Sequence, residues 1–200
     1  MAKIKICGLS RMCDIEAVND ASPDYIGFVF AESKRRVTPD EAYELRKALA
    51  PGITPVGVFV NEPPENIVKI IKCGIIDIIQ LHGSESEDYI SQLKSLTGTK
   101  IIKAVPVLKA GDAQKYAQSP ADYLLLDYKT GGSGKSFDWE LTGDVTKPYF
   151  LAGGININNV EEALKKTSPF AVDISSGVET GGVKDPEKIR AIVNKIRGKE

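Results

Sequence analysis

Eight short runs of apolar, largely β-branched residues recur along the chain at a near-constant interval. Their spacing of about 24 residues leaves room for one helix between successive runs. Because the runs are apolar at nearly every position, each is typical of a strand buried on both faces of a parallel sheet. The runs begin at Lys3, Tyr25, Thr54, Ile78, Ile101, Tyr123, Tyr149 and Ala171.

Helix start signals lie between these runs. Thr38 and Glu41 form the pattern of a capping box, with Pro39 at the first helical position. The segments after the first, fifth and sixth runs carry weaker signals, and the sixth, FDWELTGDV, has room for only a short helix. Further predicted helix starts are Pro63-Pro64, Ser84 with Glu87, Asn158, and Asp185-Pro186.

Repeated strand–helix units form either an open doubly wound sheet or a closed (β/α)8 barrel. No run is followed by the G-x-G-x-x-G pattern of dinucleotide-binding sheets. Eight near-equal units favour closure, and at this spacing they use nearly all of the 200 residues. The sequence therefore predicts an α/β protein in which residues 1–200 form a single-domain (β/α)8 TIM barrel of minimal length.

The charge composition argues against several classes of partner. The chain has 26 basic and 27 acidic residues, whereas a protein that binds nucleic acid or an anionic membrane carries a basic excess. No apolar stretch reaches the ~18 residues of a membrane span, and MAKIKICGL at the start lacks the long apolar segment of a signal peptide. We therefore expect a cytoplasmic protein without a nucleic-acid or membrane partner.

Cysteine and histidine are too few and too scattered for the common metal sites. His82 is the single histidine, and the three cysteines, Cys7, Cys13 and Cys73, have no CxxC spacing. Zinc sites of the finger or HExxH type are therefore excluded, and no GxSxG motif supports a Ser-His-Asp triad. We expect no metal, and acid–base chemistry carried mainly by carboxylates, cysteine or lysine. Cys13 is interpreted as structural and Cys73 as a small buried residue.

In such a barrel, functional residues lie at the carboxyl ends of the strands. Asp127 ends one apolar run, and apolar surroundings favour the protonated carboxyl that a general acid needs. The alternative is a carboxylate that pairs with Lys129 or caps a turn. Cys7 ends the first run, where it is either a small buried residue or a thiol that acts as base or nucleophile.

Glycine-rich turns follow the seventh and eighth runs. Gly153-Gly154 and Ser176-Gly177 stand where barrels commonly bind phosphate through backbone N–H groups, although either pair also suits an ordinary tight turn. The Gly131–Lys135 segment resembles a P-loop, but Lys129 occupies the position of its first glycine. We expect that segment to cover the mouth of the barrel.

Eight motifs, taken together, resemble the phosphoribosylanthranilate isomerase family. They occur in the family's order from residue 3 to residue 179, so the resemblance covers nearly the whole chain. Each motif alone is weak, whereas eight in register are specific. The motifs are KICGL, GFVF followed by SKR, VGVFVN, QLHG, LLLD, GGSGKSFDW, LAGGI and AVDISSGVE.

The resemblance implies an isomerase of tryptophan biosynthesis that performs an Amadori rearrangement on a small phosphosugar substrate, without a cofactor. It makes Asp127 the general acid and Cys7 the general base. The resemblance also implies other tryptophan-pathway enzymes as candidate partners. The implied binding residues are Arg36 for the anthranilate carboxylate, His82 near the ring, and Gly154, Ser176 and Gly177 for the phosphate.

Two other functions fit the same barrel. Lys5 and Lys103 lie within the first and fifth runs, so a Schiff-base aldolase acting on a sugar phosphate is one alternative. A catalytically silent phosphate-binding regulator is the other, and the presence of Cys7, Asp127 and Arg36 together argues against it.

Overall fold

Eight parallel strands form a closed barrel in chain order, in which the last strand pairs with the first. The computed structural model describes residues 1–109, 111–127 and 145–199. The closed barrel confirms the predicted fold class, and every strand begins at or next to its predicted residue. The strands are β1 (Lys3–Cys7), β2 (Tyr25–Val29), β3 (Thr54–Phe59), β4 (Ile78–Leu81), β5 (Lys100–Pro106), β6 (Tyr123–Asp127), β7 (Tyr149–Ala152) and β8 (Ala171–Ile174).

Helices pack against the outer face of the barrel. The described ranges contain α1 (Met12–Ala21), α2 (Pro39–Ala48), α3 (Pro64–Lys72), α4 (Glu87–Thr97), α5 (Val160–Lys166) and α6 (Pro186–Arg197). After β8 comes a 3-10 turn (Ser176–Val178), followed by a short antiparallel ribbon of β9 (Glu179–Thr180) and β10 (Val183–Lys184).

The weak helix signal after the fifth run corresponds to a 3-10 turn, Ala113–Tyr116. The short helix predicted after the sixth run and the Gly131–Lys135 segment lie outside the described residues. In the ranges that the structure describes, no helix combines the length and the apolar character needed to cross a membrane.

Two helix starts form as predicted, because a side chain takes up the free N–H groups of the first turn. Thr38 Oγ1 accepts a hydrogen bond from the Glu41 N–H, and the Glu41 carboxylate accepts one from the Thr38 N–H, completing the capping box of α2. Asp185 accepts from two N–H groups of α6, which ends at Gly198 in the left-handed conformation.

Two other helix starts lie one or two residues from their predicted positions. Ser86, not Ser84, caps α4, because the N–H and hydroxyl of Ser84 donate to Asn61 instead. Asn159, not Asn158, immediately precedes α5. Its side chain closes the preceding turn, because Oδ1 accepts a hydrogen bond from the Asn156 N–H and Nδ2 donates one to Gly154 O.

The barrel interior has an apolar lower part and a polar upper part. At the amino ends of the strands, aromatic rings contact one another edge-on or stacked, among them Tyr25, Tyr123, Phe150 and Phe170. Further along the strands, the buried side chains of Lys5, Gln80 and Lys103 occur instead. Because buried polar groups need partners, this change marks the carboxyl ends of the strands as the functional end.

Candidate functional site

A cavity of about 360 Å³ opens at the carboxyl ends of the strands. This volume suits a small molecule. Among the described residues, it is lined by Cys7, Val29, Ala31, Glu32, Ser33, Arg35, Val58, Val60, Gln80, His82, Asp127, Ala152, Gly153, Gly154, Ile155, Asp173, Ser175 and Ser176. The structure thus brings together five residues predicted from the sequence: Cys7, His82, Asp127, Gly154 and Ser176.

Cys7 is the last residue of β1, and its sulfur lies against the neighbouring strand β2. A Cβ atom on Gly27 would lie 2.6 Å from the Cys7 Sγ, so glycine at this position makes the room that the thiol occupies. Cys7 is only 8% exposed. Burial raises the pKa of its thiol above the ordinary value, although Lys5 and Lys184 act in the opposite direction.

Lys5 lies beneath Cys7 on the same inward face of β1, because side chains two residues apart on a strand point the same way. It is fully buried, and its Nζ donates to Asp173 Oδ1 on β8 at 2.9 Å. Burial disfavours its charged form, but Asp173 and Cys7 outweigh that effect and raise the pKa of Lys5. The residue is therefore an ammonium.

Asp127 ends β6 and contacts the single histidine. Its Oδ2 lies 3.2 Å from His82 Nε2, and His82 Nδ1 lies 3.0 Å from Gln80 Nε2. The Gln80 amide can present either a donor or an acceptor to Nδ1 by rotating its end group. With the acceptor presented, Nδ1 carries the imidazole proton and Nε2 can accept a hydrogen bond from the Asp127 carboxyl. His82 is thus a hydrogen-bond partner of the carboxyl.

The structure does not bring Arg36 to the cavity. Its guanidinium pairs with the exposed Glu32 at 2.6 Å and lines a second pocket near the start of α2. Arg35 lines the cavity instead. Arg35 lies inside a turn that is closed by the hydrogen bond from Arg36 N–H to Ser33 O, whereas Arg36 forms a β-bridge with Val29. The two side chains therefore leave the backbone in different directions.

Arg35, Glu179 and Lys184 form a tight group at the edge of the cavity, which we call the Glu179 cluster. Arg35 Nε and Nη2 donate to the two carboxylate oxygens at 2.6 and 2.9 Å, and Lys184 Nζ donates to Oε1 at 2.7 Å. Burial alone would raise the pKa of Glu179, but these hydrogen bonds hold it at about 2. The cluster keeps the Arg35 side chain ordered beside the cavity.

The loops after β7 and β8 form one end of the cavity. Gly153 and Gly154 both adopt positive φ, at 93° and 71°, which favours glycine. The side-chain amides of Asn156 and Asn159 both donate hydrogen bonds to Gly154 O, and these bonds hold the turn. Ser176 lines the cavity, whereas Gly177 lies behind it, where a Cβ atom would be 2.0 Å from Ile155 O. Gly177 therefore lets the two loops approach each other.

Lys5 and Lys103, the two lysines that could form a Schiff base in an aldolase, are both in ion pairs. Lys103 is 4% exposed and donates to Glu85 at 2.7 Å and to Gly83 O at 2.6 Å. Lys5 is held by Asp173 as described. A Schiff base requires a neutral amine that reaches the substrate, and neither lysine is among the residues that line the cavity.

Two further expectations concern the cysteines and metal ions. Cys73 is exposed, so the prediction that it is buried is wrong; it follows the end of α3, beyond the helix's buried residues Ile67 and Ile70. Cys13 is exposed as well. Within the described ranges, no three His, Cys, Asp or Glu side chains are grouped closely enough to hold a metal ion.

Several residues around Cys7 are not among those predicted from the sequence. Asp173 lies within an apolar strand, and a charged residue in such a run is the signal that could have identified it. Glu179 and Lys184 carried no comparable signal, because their surroundings read as an ordinary polar loop. The completed site has a thiol and a carboxyl on strands from different halves of the barrel, with cations on the thiol side.

Sequence comparison places this architecture among known proteins. The family model described as N-(5'phosphoribosyl)anthranilate (PRA) isomerase matches residues 4–195. The chain is 46% identical over 204 residues to the N-(5'-phosphoribosyl)anthranilate isomerase of Thermoanaerobacter pseudethanolicus, and the alignment covers 99% of each chain.

Comparison with solved structures agrees with the sequence match. The phosphoribosyl anthranilate isomerase of Thermotoga maritima superposes with a TM-score of 0.90 at 36% identity, covering 99% of this chain and 100% of that one. Another phosphoribosyl anthranilate isomerase structure, a complex with reduced 1-(o-carboxyphenylamino)-1-deoxyribulose 5-phosphate, gives a TM-score of 0.88 at 34% identity, with coverage of 99% and 100%.

Proposed function

The chain belongs to the N-(5'-phosphoribosyl)anthranilate isomerase family, and we propose that this isomerase of tryptophan biosynthesis works by general acid–base catalysis between Asp127 and Cys7. The substrate is N-(5-phosphoribosyl)anthranilate and the product is 1-(2-carboxyphenylamino)-1-deoxyribulose 5-phosphate. The supporting observation is that one cavity contains both the Cys7 thiol and the Asp127 carboxyl.

In the first step, Asp127 donates a proton to the ribose ring oxygen. The bond between that oxygen and C1 breaks, the ring opens, and the electron pair of the amine nitrogen forms an iminium with C1. An alkoxide is a poor leaving group, so proton donation in the transition state lowers the barrier. His82 holds the carboxyl from the side, 3.2 Å away.

In the second step, the Cys7 thiolate removes the proton from C2 of the ribose. The iminium acidifies this proton because the electron pair left on C2 flows to the nitrogen and gives a neutral enolamine. Tautomerisation of the enolamine then yields the aminoketose. Each positioned proton transfer typically contributes 10² to 10⁴-fold to the rate.

Substrate binding uses the two ends of the cavity. On the thiol side, Arg35 takes the role expected of Arg36 and binds the anthranilate carboxylate, because a guanidinium forms paired hydrogen bonds with a carboxylate. At the β7–β8 end, the backbone around Gly154 and the turn at Ser176 receive the phosphate, with Gly177 keeping the two loops close. Amide groups in such loops bind phosphate without lysine.

The test is an activity assay with purified protein and freshly made substrate. The anthranilate fluorescence should fall on addition of wild-type enzyme, and Cys7→Ala and Asp127→Asn should each lower kcat by at least about 100-fold with an unchanged circular dichroism spectrum. Cys73→Ala is the matched control, since this exposed thiol lies outside the cavity, and it should keep full activity. Near-normal kcat in both active-site variants would refute the mechanism.

A further inference from the structure

The Lys5–Asp173 pair is an unusual component of a barrel interior. Lys5 has no exposed surface, and the Asp173 side chain is 8% exposed. Withdrawing two charges from water is costly, and well-packed apolar side chains often stabilise a fold as well or better. The lower part of the same barrel is filled with aromatic and aliphatic residues. Packing alone therefore does not account for the pair.

The position of the pair points to Cys7. Lys5 and Cys7 project inward from the same strand, and β8 pairs with β1 so that Asp173 stands opposite Lys5. The positive charge of the Lys5 ammonium favours the ionised form of the Cys7 thiol. Asp173 fixes Nζ at 2.9 Å, so the ammonium is held beneath the thiol.

The charged side chains grouped around Cys7 include more cations than anions. The cations near it are Lys5, Lys184 and Arg35, and the anions are Asp173 and Glu179. Lys34 contributes weakly, because it is 61% exposed and lies 3.9 Å from Glu179. With a neutral thiol, the three inner cations exceed the two anions by one, and a thiolate cancels that excess.

We propose that Lys5 is a positioning residue for the reaction: its ammonium, held in place by Asp173, supports the Cys7 thiolate that removes the C2 proton. Before the substrate binds, the thiol proton passes to bulk water through the open cavity, and Lys5 keeps its own proton throughout. Asp173 has two opposing effects, since it fixes the ammonium but its negative charge disfavours the thiolate. This inference rests on the proposed role of Cys7 as base.

The test measures the ionisation of Cys7 directly, without substrate. In a Cys13→Ser/Cys73→Ser background, which removes the two exposed thiols, the rate of alkylation by iodoacetamide is followed against pH. The pH at which the alkylation rate reaches half of its maximum is the titration midpoint of Cys7. Relative to this parent, Lys5→Met should move that midpoint upward by about one pH unit or more, and Asp173→Asn should move it downward. The double variant should lie between the two. Lys5→Met should also lower kcat at neutral pH by about tenfold or more, because the thiolate fraction falls by that factor.

Lys103→Met is the matched control for loss of a buried lysine. Lys103 is also almost fully buried and ion-paired, but it pairs with Glu85 on the far side of the barrel. Its removal should reduce stability and leave the Cys7 midpoint unchanged. If Lys5→Met does not fold, the opposite shift in Asp173→Asn and the midpoint of the charge-free double variant still decide the question.

Midpoints that stay at the parent value, or that move the same way in the Lys5 and Asp173 variants, would overturn the inference and leave the pair a structural role only. Failure of the proposed function is distinguishable. In that case Cys7→Ala keeps its turnover, whatever the alkylation profiles show.

Discussion

Arg35 donates two hydrogen bonds to Glu179 through Nε and Nη2, at 2.6 and 2.9 Å. The two residues are far apart in sequence, and the contact leaves Arg35 at the wall of the cavity while its neighbour Arg36 faces another pocket. The pair therefore holds Arg35, and not Arg36, at the wall of the cavity where we propose that the substrate binds.

Arg35→Ala should weaken substrate binding, and Arg36→Ala should not. Loss of a charge-assisted hydrogen bond of 1.5 to 3 kcal/mol corresponds to a rise in KM of roughly 10- to 100-fold. Because the carboxylate is remote from the reacting carbons, kcat should change much less. Steady-state kinetics on both variants check the assignment, and a larger effect of Arg36→Ala would return the role to that residue.

Glu179→Gln should destabilise the protein at neutral pH, and the loss should shrink in acid. Hydrogen bonds from Arg35 and Lys184 outweigh burial and hold the pKa of Glu179 at about 2, against an ordinary value of 4.5. Because the folded-state pKa is the lower one, the carboxylate stabilises the fold above the ordinary value and this contribution disappears as the pH falls towards 2.

The magnitude at neutral pH is on the order of 3 kcal/mol. Urea unfolding of wild type and variant at pH values on either side of the ordinary Glu value measures the difference. Glu32→Gln is the control: its carboxylate also pairs with an arginine, but it is 89% exposed, so its removal should have almost no effect. An equal loss of stability at both pH values for Glu179→Gln would contradict the assigned ionisation.

His82→Asn should reduce kcat more than His82→Gln does. The longer glutamine side chain reaches about as far as Nε2, which lies 3.2 Å from Asp127, whereas asparagine does not. Losing a hydrogen bond to the carboxyl that we propose as the general acid should cost about tenfold in kcat, with partial recovery in the glutamine variant. Similar kcat values for the two variants and wild type would show that Asp127 needs no such partner.

Gly177→Ala should raise KM by displacing the loops proposed to bind phosphate. The added methyl group would lie 2.0 Å from Ile155 O, so the backbone must move. Overpacking of this kind typically costs 1–3 kcal/mol of stability. Gly74→Ala is the comparison, since Gly74 has a φ of 69° and open space around it: it should lose stability through backbone strain while KM stays at the wild-type value.

The strands were predictable from the sequence because each one is a continuous apolar run, and burial on both faces requires this. The place of Cys7, Asp127, Gly154 and Ser176 in the cavity lining was also predictable, since each lies at the end of such a run or within two residues of it. The choice between Arg35 and Arg36 was not, because it depends on the direction in which the backbone leaves β2.

Contacts between residues far apart in the sequence could not be predicted from the sequence pattern either. The partnership of Lys5 and Asp173 depends on the register between the first and last strands, and that of Glu179 with Arg35 on the course of the β9–β10 ribbon. Helix caps fall between these cases. Thr38 caps α2 as predicted. Ser84 does not cap α4, because it donates its hydrogen bonds to Asn61 in another loop.

The pairing of β8 with β1 has a consequence for protein synthesis. Translation proceeds from β1 towards β8, so Lys5 and Cys7 are synthesised long before Asp173, Glu179 and Lys184. A nascent chain interrupted before β8 therefore lacks the groups that surround the thiol, and its barrel has two unpaired edges. Turnover by the proposed mechanism thus requires that β8 has been made and has paired with β1, so an assay of turnover also reports closure of the barrel.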